Sequence, residues 1–301
     1  MTAHLARIVL VAVILSSIPA RSAEVAQHHD KEYWQAVISQ DFTPPDDVPL
    51  TVLLRELSGN LGSTDPELRD DISYRILTQW LYAKKIVPPE LRRNLVSEWI
   101  GNLQRSIGEK DTDSVILRSF SALMLSVIAA SDNQTPFLDR DEFKTLLNAA
   151  VDYMREEQDT RGFDANIGWL HSVAHTADFL KFLARSRHLE VSEQSVILAS
   201  IAGKLDRVDH VLDRGEDERL ARVVLSLIAR PDFDLQAFEG FIRMLQPLNM
   251  KGLPTPGVLA VNQNRRNVAV SLYAVLSTDK RDLEYRRQAS DTLLTFLSSI
   301  M

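Results

Sequence analysis

Apolar residues recur every three or four positions along most of the chain after Asp65, which is the spacing of one face of an α-helix. The clearest examples are Leu117, Phe120, Met124, Val127 and Ile128, followed later by Leu220, Val223, Val224, Leu227 and Ile228. No segment shows the strict alternation of a half-buried strand. The pattern therefore predicts an all-α fold with no sheet for a domain over residues 64–301.

Short segments rich in Pro, Gly, Asp and Ser separate the predicted helices, for example at 108–113, 131–136 and 213–217. Short connections place consecutive helices antiparallel. We therefore expect stacked antiparallel helical hairpins, arranged as a HEAT-like solenoid or as a closed helical toroid. No repeat consensus is present and the spacing is irregular, so an ordinary helical bundle remains the alternative.

The segment 23–63 differs from the rest of the chain in composition. Residues 41–49 hold three prolines and three acids. Proline cannot donate a backbone hydrogen bond and interrupts helices. We expect this N-terminal extension, with its Pro-rich loop, to lie over the surface of the helical domain.

The first 22 residues have the pattern of a signal peptide. Arg7 precedes an apolar run over 8–15, and the small residues Ala20 and Ser22 fit a cleavage site. The run is too short to span a bilayer as a helix. We predict export to the periplasm or the exterior, with cleavage near Ser22 and no membrane span afterwards; an uncleaved anchor is the alternative.

The charge balance and the absence of cysteine limit which reactions and partners are open to this protein. The formal net charge is −7 and the chain has no cysteine. Removal of 1–22 would take away Arg7 and Arg21 but no acids, which brings the net charge to −9. Disulfides and thiolate chemistry are excluded, and no basic block favours nucleic acid as a partner.

The highest density of candidate functional residues follows Gly162 and Asn166. We interpret Gly162 as the left-handed end of one helix and Asn166 as the N-cap of the next. On that second helix, His171 and His175 are four positions apart and Asp178 lies three further on. This spacing places the three side chains on one helical face. Because this face also carries Phe182 and lacks the Lys, Glu and Arg of an ordinary solvent face, we expect it to border a cleft.

Three interpretations of this face remain open. Two imidazoles and a carboxylate can hold a divalent metal such as zinc, which gives His171, His175 and Asp178 as ligands. A hydrolase of that kind would use Glu157 or Asp159 to position or deprotonate water. The second interpretation is a metal-free site for proton transfer or recognition. The third is a structural face, with hydrogen-bonded histidines and Asp178 paired with an arginine.

Arg118 lies in an otherwise apolar helix, where an unpaired buried charge would be costly. We expect an ion pair with one of three nearby acids: Glu157, Asp159 or Asp178. The arginine then serves either a structural pair or a substrate clamp. Together with Arg161 and Trp169, it is predicted to line the ligand groove.

Four short motifs occur in order along this region. They are Arg118-Ser119-Phe120-Ser121, Glu157-x-Asp159-x-Arg161-Gly162, Gly168-Trp169-x-His171-x-x-Ala174-His175-x-x-Asp178 and Glu216-Asp217-Glu218-Arg219-Leu220-Ala221. The set resembles a bacterial domain-of-unknown-function family, number 2785, over roughly 65–300. The resemblance implies that the His/His/Asp face is a shared feature of the family. It does not imply a particular reaction.

Two functions follow as hypotheses. The first is an exported binding or scaffold protein of the cell envelope, in which the His/His/Asp face lines a groove for a peptide, a glycan or a small ligand. The second is a metal-dependent hydrolase that uses His171, His175 and Asp178. Phosphate-binding glycine loops and a serine-hydrolase elbow are absent from the sequence.

Overall fold

A computed structural model describes residues 28–248 and 252–300, and these residues are mostly helical, as predicted. The predicted signal peptide, 1–22, lies outside the described residues. The helices are α1 (Lys31–Ser39), α2 (Leu50–Asn60), α3 (π-helical Glu67–Tyr74, α-helical Arg75–Thr78 and π-helical Gln79–Ala83), α4 (Pro89–Leu103), α5 (Ser114–Gln134), α6 (Arg140–Glu156), α7 (Ser172–Ala184), α8 (Val191–Leu205), α9 (Glu216–Ile228), α10 (Leu235–Met244), α11 (Pro256–Thr278) and α12 (Arg286–Ile300).

The expectation of no sheet was wrong at one place. Two short antiparallel strands, β1 (Phe163–Asp164) and β2 (Gly168–Trp169), pair with Phe163 opposite Trp169. Strands of this length are too short to show an alternating pattern in the sequence. Gly168 has a φ of +80°, and a Cβ there would lie 3.3 Å from Nη2 of Arg69, so this position favours glycine.

Helices α4–α12 pack in two rows. In the first row, α5, α7, α9 and α11 contact one another in that order, and α3 packs beside α5. In the second row, the neighbours are α4, α6, α8, α10 and α12. Because consecutive helices alternate between the rows, the connections 104–113, 157–171 and 206–215 meet at one end, which we call the loop end.

The core is densely apolar around α5 and α7. Helix α5 has 21 residues and is apolar enough to cross a membrane, but 83% of its most apolar window is buried inside the protein. It packs against α4 and α7, so its apolar character is that of a core helix. In α7, 11 of 13 residues are buried, and therefore no face of this helix is wholly open to solvent.

The N-terminal extension does not lie on the surface as expected. Its helices α1 and α2 place Trp34, Leu53 and Leu57, each 0% exposed, in the same core as the following helices. The indole Nε1 of Trp34 donates to Oε1 of Glu56 at 3.3 Å, which satisfies the polar atom of this buried ring. The Pro-rich loop is confined to the connection between α1 and α2.

Candidate functional site

The helix that carries the predicted histidines begins later than expected. Asn166 is not its cap, because α7 starts at Ser172 and the preceding residue, His171, takes the N-cap position with a φ of 51°. Left-handed backbone at a non-glycine residue is uncommon and strained. The carbonyl of Gly162 accepts the N–H groups of Leu170, at 3.0 Å, and of His171, at 3.3 Å, and so holds this turn in place.

Gly162 does not end a helix in a left-handed conformation either. Helix α6 ends at Glu156, and Gly162 lies inside the following connection. A Cβ at Gly162 would lie 2.5 Å from Cγ of Arg214 and 2.8 Å from Oε1 of Glu216. The glycine therefore permits a close approach between the connections 157–171 and 206–215.

The His171 ring lies between an exposed aromatic ring and a buried carboxylate. It stacks on Trp169 with ring centroids 4.4 Å apart and planes 5° from parallel, and Trp169 itself is 44% exposed. Its Nδ1 is buried and has no hydrogen-bond partner within the described part of the chain. Oε1 of Glu216 lies 3.6 Å from this nitrogen, just beyond hydrogen-bonding distance.

Glu216 opens α9, after Gly215 at the N-cap with a φ of 85°. Burial alone would raise the pKa of this carboxyl, but the His171 ring and the backbone N–H groups of Glu216 and Arg214 lower the pKa below its usual value. The carboxylate is therefore ionised at the positive end of a helix dipole. Glu216, Asp217 and Glu218 place three acids in the first turn of α9, and Glu216 also lies against His171.

His175 is buried and neutral. The Ser119 hydroxyl donates its one hydrogen to the Leu170 carbonyl, so its oxygen accepts from Nδ1–H of His175 at 2.8 Å. This assigns the tautomer and leaves the lone pair on Nε2. Burial, with the nearby charges of His171, Arg219 and Arg69, lowers the pKa of His175 well below its usual value.

Asp178 is an ion-pair partner. Its carboxylate accepts from Nζ of Lys181 at 2.6 Å and from Nη1 of Arg219 on α9. The predicted zinc ligands His171, His175 and Asp178 are not gathered around a common point, since Asp178 faces two cations. Over residues 28–248 and 252–300, no group of three or more His, Cys, Asp or Glu side chains could hold a metal ion.

The expected partner of Arg118 is Glu157. Nε and Nη2 of the arginine donate to the two carboxylate oxygens at 2.6 and 3.0 Å, and Nη1 donates to the carbonyls of Arg105 and Ser106. The Arg118 and Glu157 side chains are 0% and 3% exposed. This bidentate pair engages both carboxylate oxygens of Glu157 with guanidinium N–H donors.

Asp159, the other predicted catalytic carboxylate, is similarly engaged. It accepts from Nε and Nη2 of Arg161 at 2.9 and 2.6 Å and from the backbone N–H of Asp111 at 3.0 Å. Arg161 also donates to the Thr112 carbonyl at 2.8 Å. These bonds join the connections 104–113 and 157–171.

Sequence reasoning missed Arg69 and Asp70 on α3. Arg69 is 0% exposed, donates to the Ile167 carbonyl at 2.9 Å and lies over the Phe120 ring at 4.7 Å. Burial raises the pKa of Asp70, although Arg69 opposes the effect. The sequence does place an arginine between the apolar residues Leu68 and Ile72, which is a sign that it could be buried. A run of charged residues at the start of a helix, however, usually indicates a face exposed to solvent.

The predicted groove residues are absent from the lining of the cavity beside Asp178. A cavity of about 280 Å³ lies beside Asp178, and we call it the Asp178 pocket. Its aromatic and charged walls are Tyr74, Tyr82, Phe182, Asp178, Lys181 and Arg219. Arg118, Arg161 and Trp169 are not among the residues that line it. Trp169 is exposed on the β1–β2 hairpin and Arg118 is buried, so these side chains occupy different surroundings.

The four sequence motifs nevertheless come together in space. Ser119 contacts His175, Arg118 contacts Glu157, and Gly162 packs against Glu216. Each of these contacts joins two motifs that are far apart along the chain. The result is one connected network around the start of α7.

Comparisons with known proteins agree with this grouping. A family model described as "Protein of unknown function (DUF2785)" matches residues 103–274, a shorter span than the 65–300 expected from the motifs. Searches of curated proteins and of solved structures gave no match. The matched span includes all four motifs and more than half of the chain, and the protein therefore belongs to the DUF2785 family.

Proposed function

We propose that this protein is an exported binding protein of the cell envelope and that its ligand occupies the Asp178 pocket. The observation that carries the proposal is the charge imbalance in the pocket lining. One carboxylate, Asp178, is shared by Lys181 and Arg219. One positive charge is thus left without a partner among the lining residues, beside aromatic walls.

This lining fits a small carboxylate with an apolar body. Arg219 is 44% exposed, and an arginine has five N–H donors, so further donors remain for a ligand. Tyr74, Tyr82 and Phe182 offer ring surface to the apolar part of that ligand. A volume of about 280 Å³ favours a small molecule over a peptide or a glycan.

The position of the pocket supports a helical-repeat scaffold. Its lining residues come from α3, α5, α7 and α9, which are successive members of the first row. Solenoids of stacked hairpins bind ligands on a surface made by one row of helices. We therefore extend the proposal to an arrangement of stacked hairpins with its ligand site on that row, and to export directed by 1–22.

Calorimetric titration of the purified chain tests the binding site. Benzoate and hexanoate should bind, whereas the uncharged benzamide and hexanamide should bind at least about tenfold more weakly, because they lack the carboxylate. Arg219→Gln removes the unmatched charge and should abolish the preference for the acids. Arg222→Gln is the matched control, since it changes an exposed arginine on the same helix that pairs with Glu218 instead.

Two results would contradict the binding proposal. One is equal affinity for acids and amides in the unchanged protein, and the other is an acid preference that survives Arg219→Gln. Export is tested separately, by expression in a bacterial host and mass measurement of the periplasmic product. A product that retains 1–22, or that stays in the cytoplasm, would contradict the predicted signal peptide.

A further inference from the structure

A second and larger cavity lies at the loop end, away from the Asp178 pocket. Its volume is about 690 Å³ and it opens between the end of α6, the end of α8 and the connection 104–113. We call it the Lys204 cleft. Its charged lining residues are Lys110, Arg155, Glu156, Glu157, Lys204, Arg207 and Asp209.

The ammonium group of Lys204 is the unusual feature of this cleft. The residue is 2% exposed, and Nζ donates to the backbone carbonyl of Glu157 at 2.5 Å. An ammonium group carries three N–H donors, so one carbonyl leaves it incompletely bonded. Within the described ranges it forms no ion pair with a carboxylate, because the Glu157 side chain is occupied by Arg118.

Burial makes the charged form of this lysine costly. Burial and the nearby Arg207 lower the pKa of Lys204 to about 8, although Glu157 opposes the change. A buried cation is usually paired, and removal of one partner from a buried pair is strongly destabilising. An anion in the cleft would supply the missing partner.

The rim of the cleft adds positive charge around Lys204. Arg207 donates to the Arg155 carbonyl at 2.9 Å and makes no carboxylate ion pair within the described residues. Lys110 is held only loosely, at 3.4 Å from Asp209, and Arg155 lies 3.6 Å from Asp152. With Glu157 neutralised by Arg118, the remaining cations outnumber Glu156 and Asp209.

From this geometry we propose that the Lys204 cleft binds a small polyanion that carries phosphate or several carboxylates. Lys204 meets the anion as a point charge at the base of the cleft, and Arg207 meets it at the rim through its planar N–H donors. The volume lies within the range of small-molecule sites. Because the cleft is lined by polar and charged groups, its proposed ligand differs from the carboxylate with an apolar body proposed for the Asp178 pocket.

Titration calorimetry at constant ionic strength tests the cleft, with pyrophosphate as the phosphate probe, tricarballylate as the carboxylate probe and chloride as the background ion. At least one probe should bind the unchanged protein. Affinity should fall about tenfold or more in Lys204→Met, which keeps an unbranched side chain one atom shorter but removes the amine. The probe that binds more tightly identifies the anion class.

Arg207→Gln keeps the test decisive if Lys204→Met does not fold, because Arg207 is exposed and its loss leaves the core intact. It should weaken the same probe by about tenfold. Lys144→Gln is the control, since Lys144 is exposed on α6, eleven positions before Arg155. The proposal is overturned if neither probe binds the unchanged protein at probe concentrations up to about 10 mM. It is also overturned if Arg207→Gln and Lys144→Gln bind the probe with equal affinity.

Discussion

At the scale of single residues, the buried polar groups around α7 are matched to one another by hydrogen bonds. The Ser119 hydroxyl links the Leu170 carbonyl to Nδ1–H of His175, and Arg118 holds Glu157 through two N–H groups. Buried groups of this kind stabilise a fold only when every member is satisfied. The contrast lies in Nδ1 of His171 and Nζ of Lys204, which are incompletely bonded within the described residues; of these two, Lys204 lines a cavity described above.

The neutral state of His175 predicts a pH dependence of stability. Its pKa is lowered in the folded state, so the unfolded chain binds more protons once the pH falls below the ordinary histidine pKa of about 6.5. The free energy of unfolding should be unaffected by this group above about pH 6.5 and should decrease below it, by up to about 1.4 kcal/mol per pH unit.

Urea unfolding between about pH 5 and pH 8 measures this slope. His175→Gln should be less stable at neutral pH but should lack the histidine part of the slope. Thr176→Ser, a conservative change of the neighbouring buried residue, should keep it. A full slope in His175→Gln would show that other groups cause the acid sensitivity.

At the scale of elements, the connection between α6 and α7 decides the geometry of the site. It contains the β1–β2 hairpin and reaches His171 in a left-handed conformation before α7 begins. Its close contact with the connection 206–215 depends on the missing side chain of Gly162. The position of His171 beside Glu216 is therefore a property of two loops together rather than of one helix.

Gly162→Ala should destabilise the protein by about 1–3 kcal/mol, because the added Cβ would overlap Arg214 and Glu216 and push the two connections apart. Urea unfolding gives the change in free energy. Gly203→Ala is the matched control within α8, where a Cβ meets nothing within 4 Å and alanine favours the helix. The free energy of unfolding of the Gly203→Ala control should rise by about 0.5–1 kcal/mol. Equal changes in free energy for the two variants would contradict the close approach at Gly162.

At the scale of the whole molecule, the segment before α3 is part of the folded unit. Trp34, Leu53 and Leu57 are buried in the same core as the helices of the two rows. Burial of each such side chain contributes about 1.5–3 kcal/mol relative to exposure. The domain therefore begins earlier than the boundary at residue 64 that the composition suggested.

Two truncations separate the signal peptide from the fold. Removal of 1–22 should leave the midpoint of thermal unfolding unchanged. Removal of 1–63 should produce an unfolded or aggregating chain, because it deletes α1 and α2 and exposes the apolar surface of α3 that they cover. Thermal unfolding of both products is followed by circular dichroism. If the chain without 1–63 unfolds cooperatively at a temperature close to that of the chain without 1–22, the shared core is contradicted.

Some features of the site followed from local sequence and others did not. An arginine inside an apolar helix requires a carboxylate partner, and Glu157 was among the three expected. The start of α7 was misplaced, because a period of four residues between His171 and His175 does not distinguish a helical residue from an N-cap. The bond from Arg219 to Asp178 and the bond from the Asp111 N–H to Asp159 join separate elements, and sequence spacing alone cannot predict such contacts.

The sequence by itself determined the helical class and the motifs that assign the family, because helical periodicity and residue order are local properties of the chain. Tertiary structure alone decided which polar groups are satisfied and which are not. Asp178 became an ion-pair partner because α9 brings Arg219 to it, and Lys204 became a buried amine because α6 ends above it. Burial and charge neighbours depend on packing between distant segments, and this packing pairs Asp178 with cations and leaves the Lys204 amine beside a cavity.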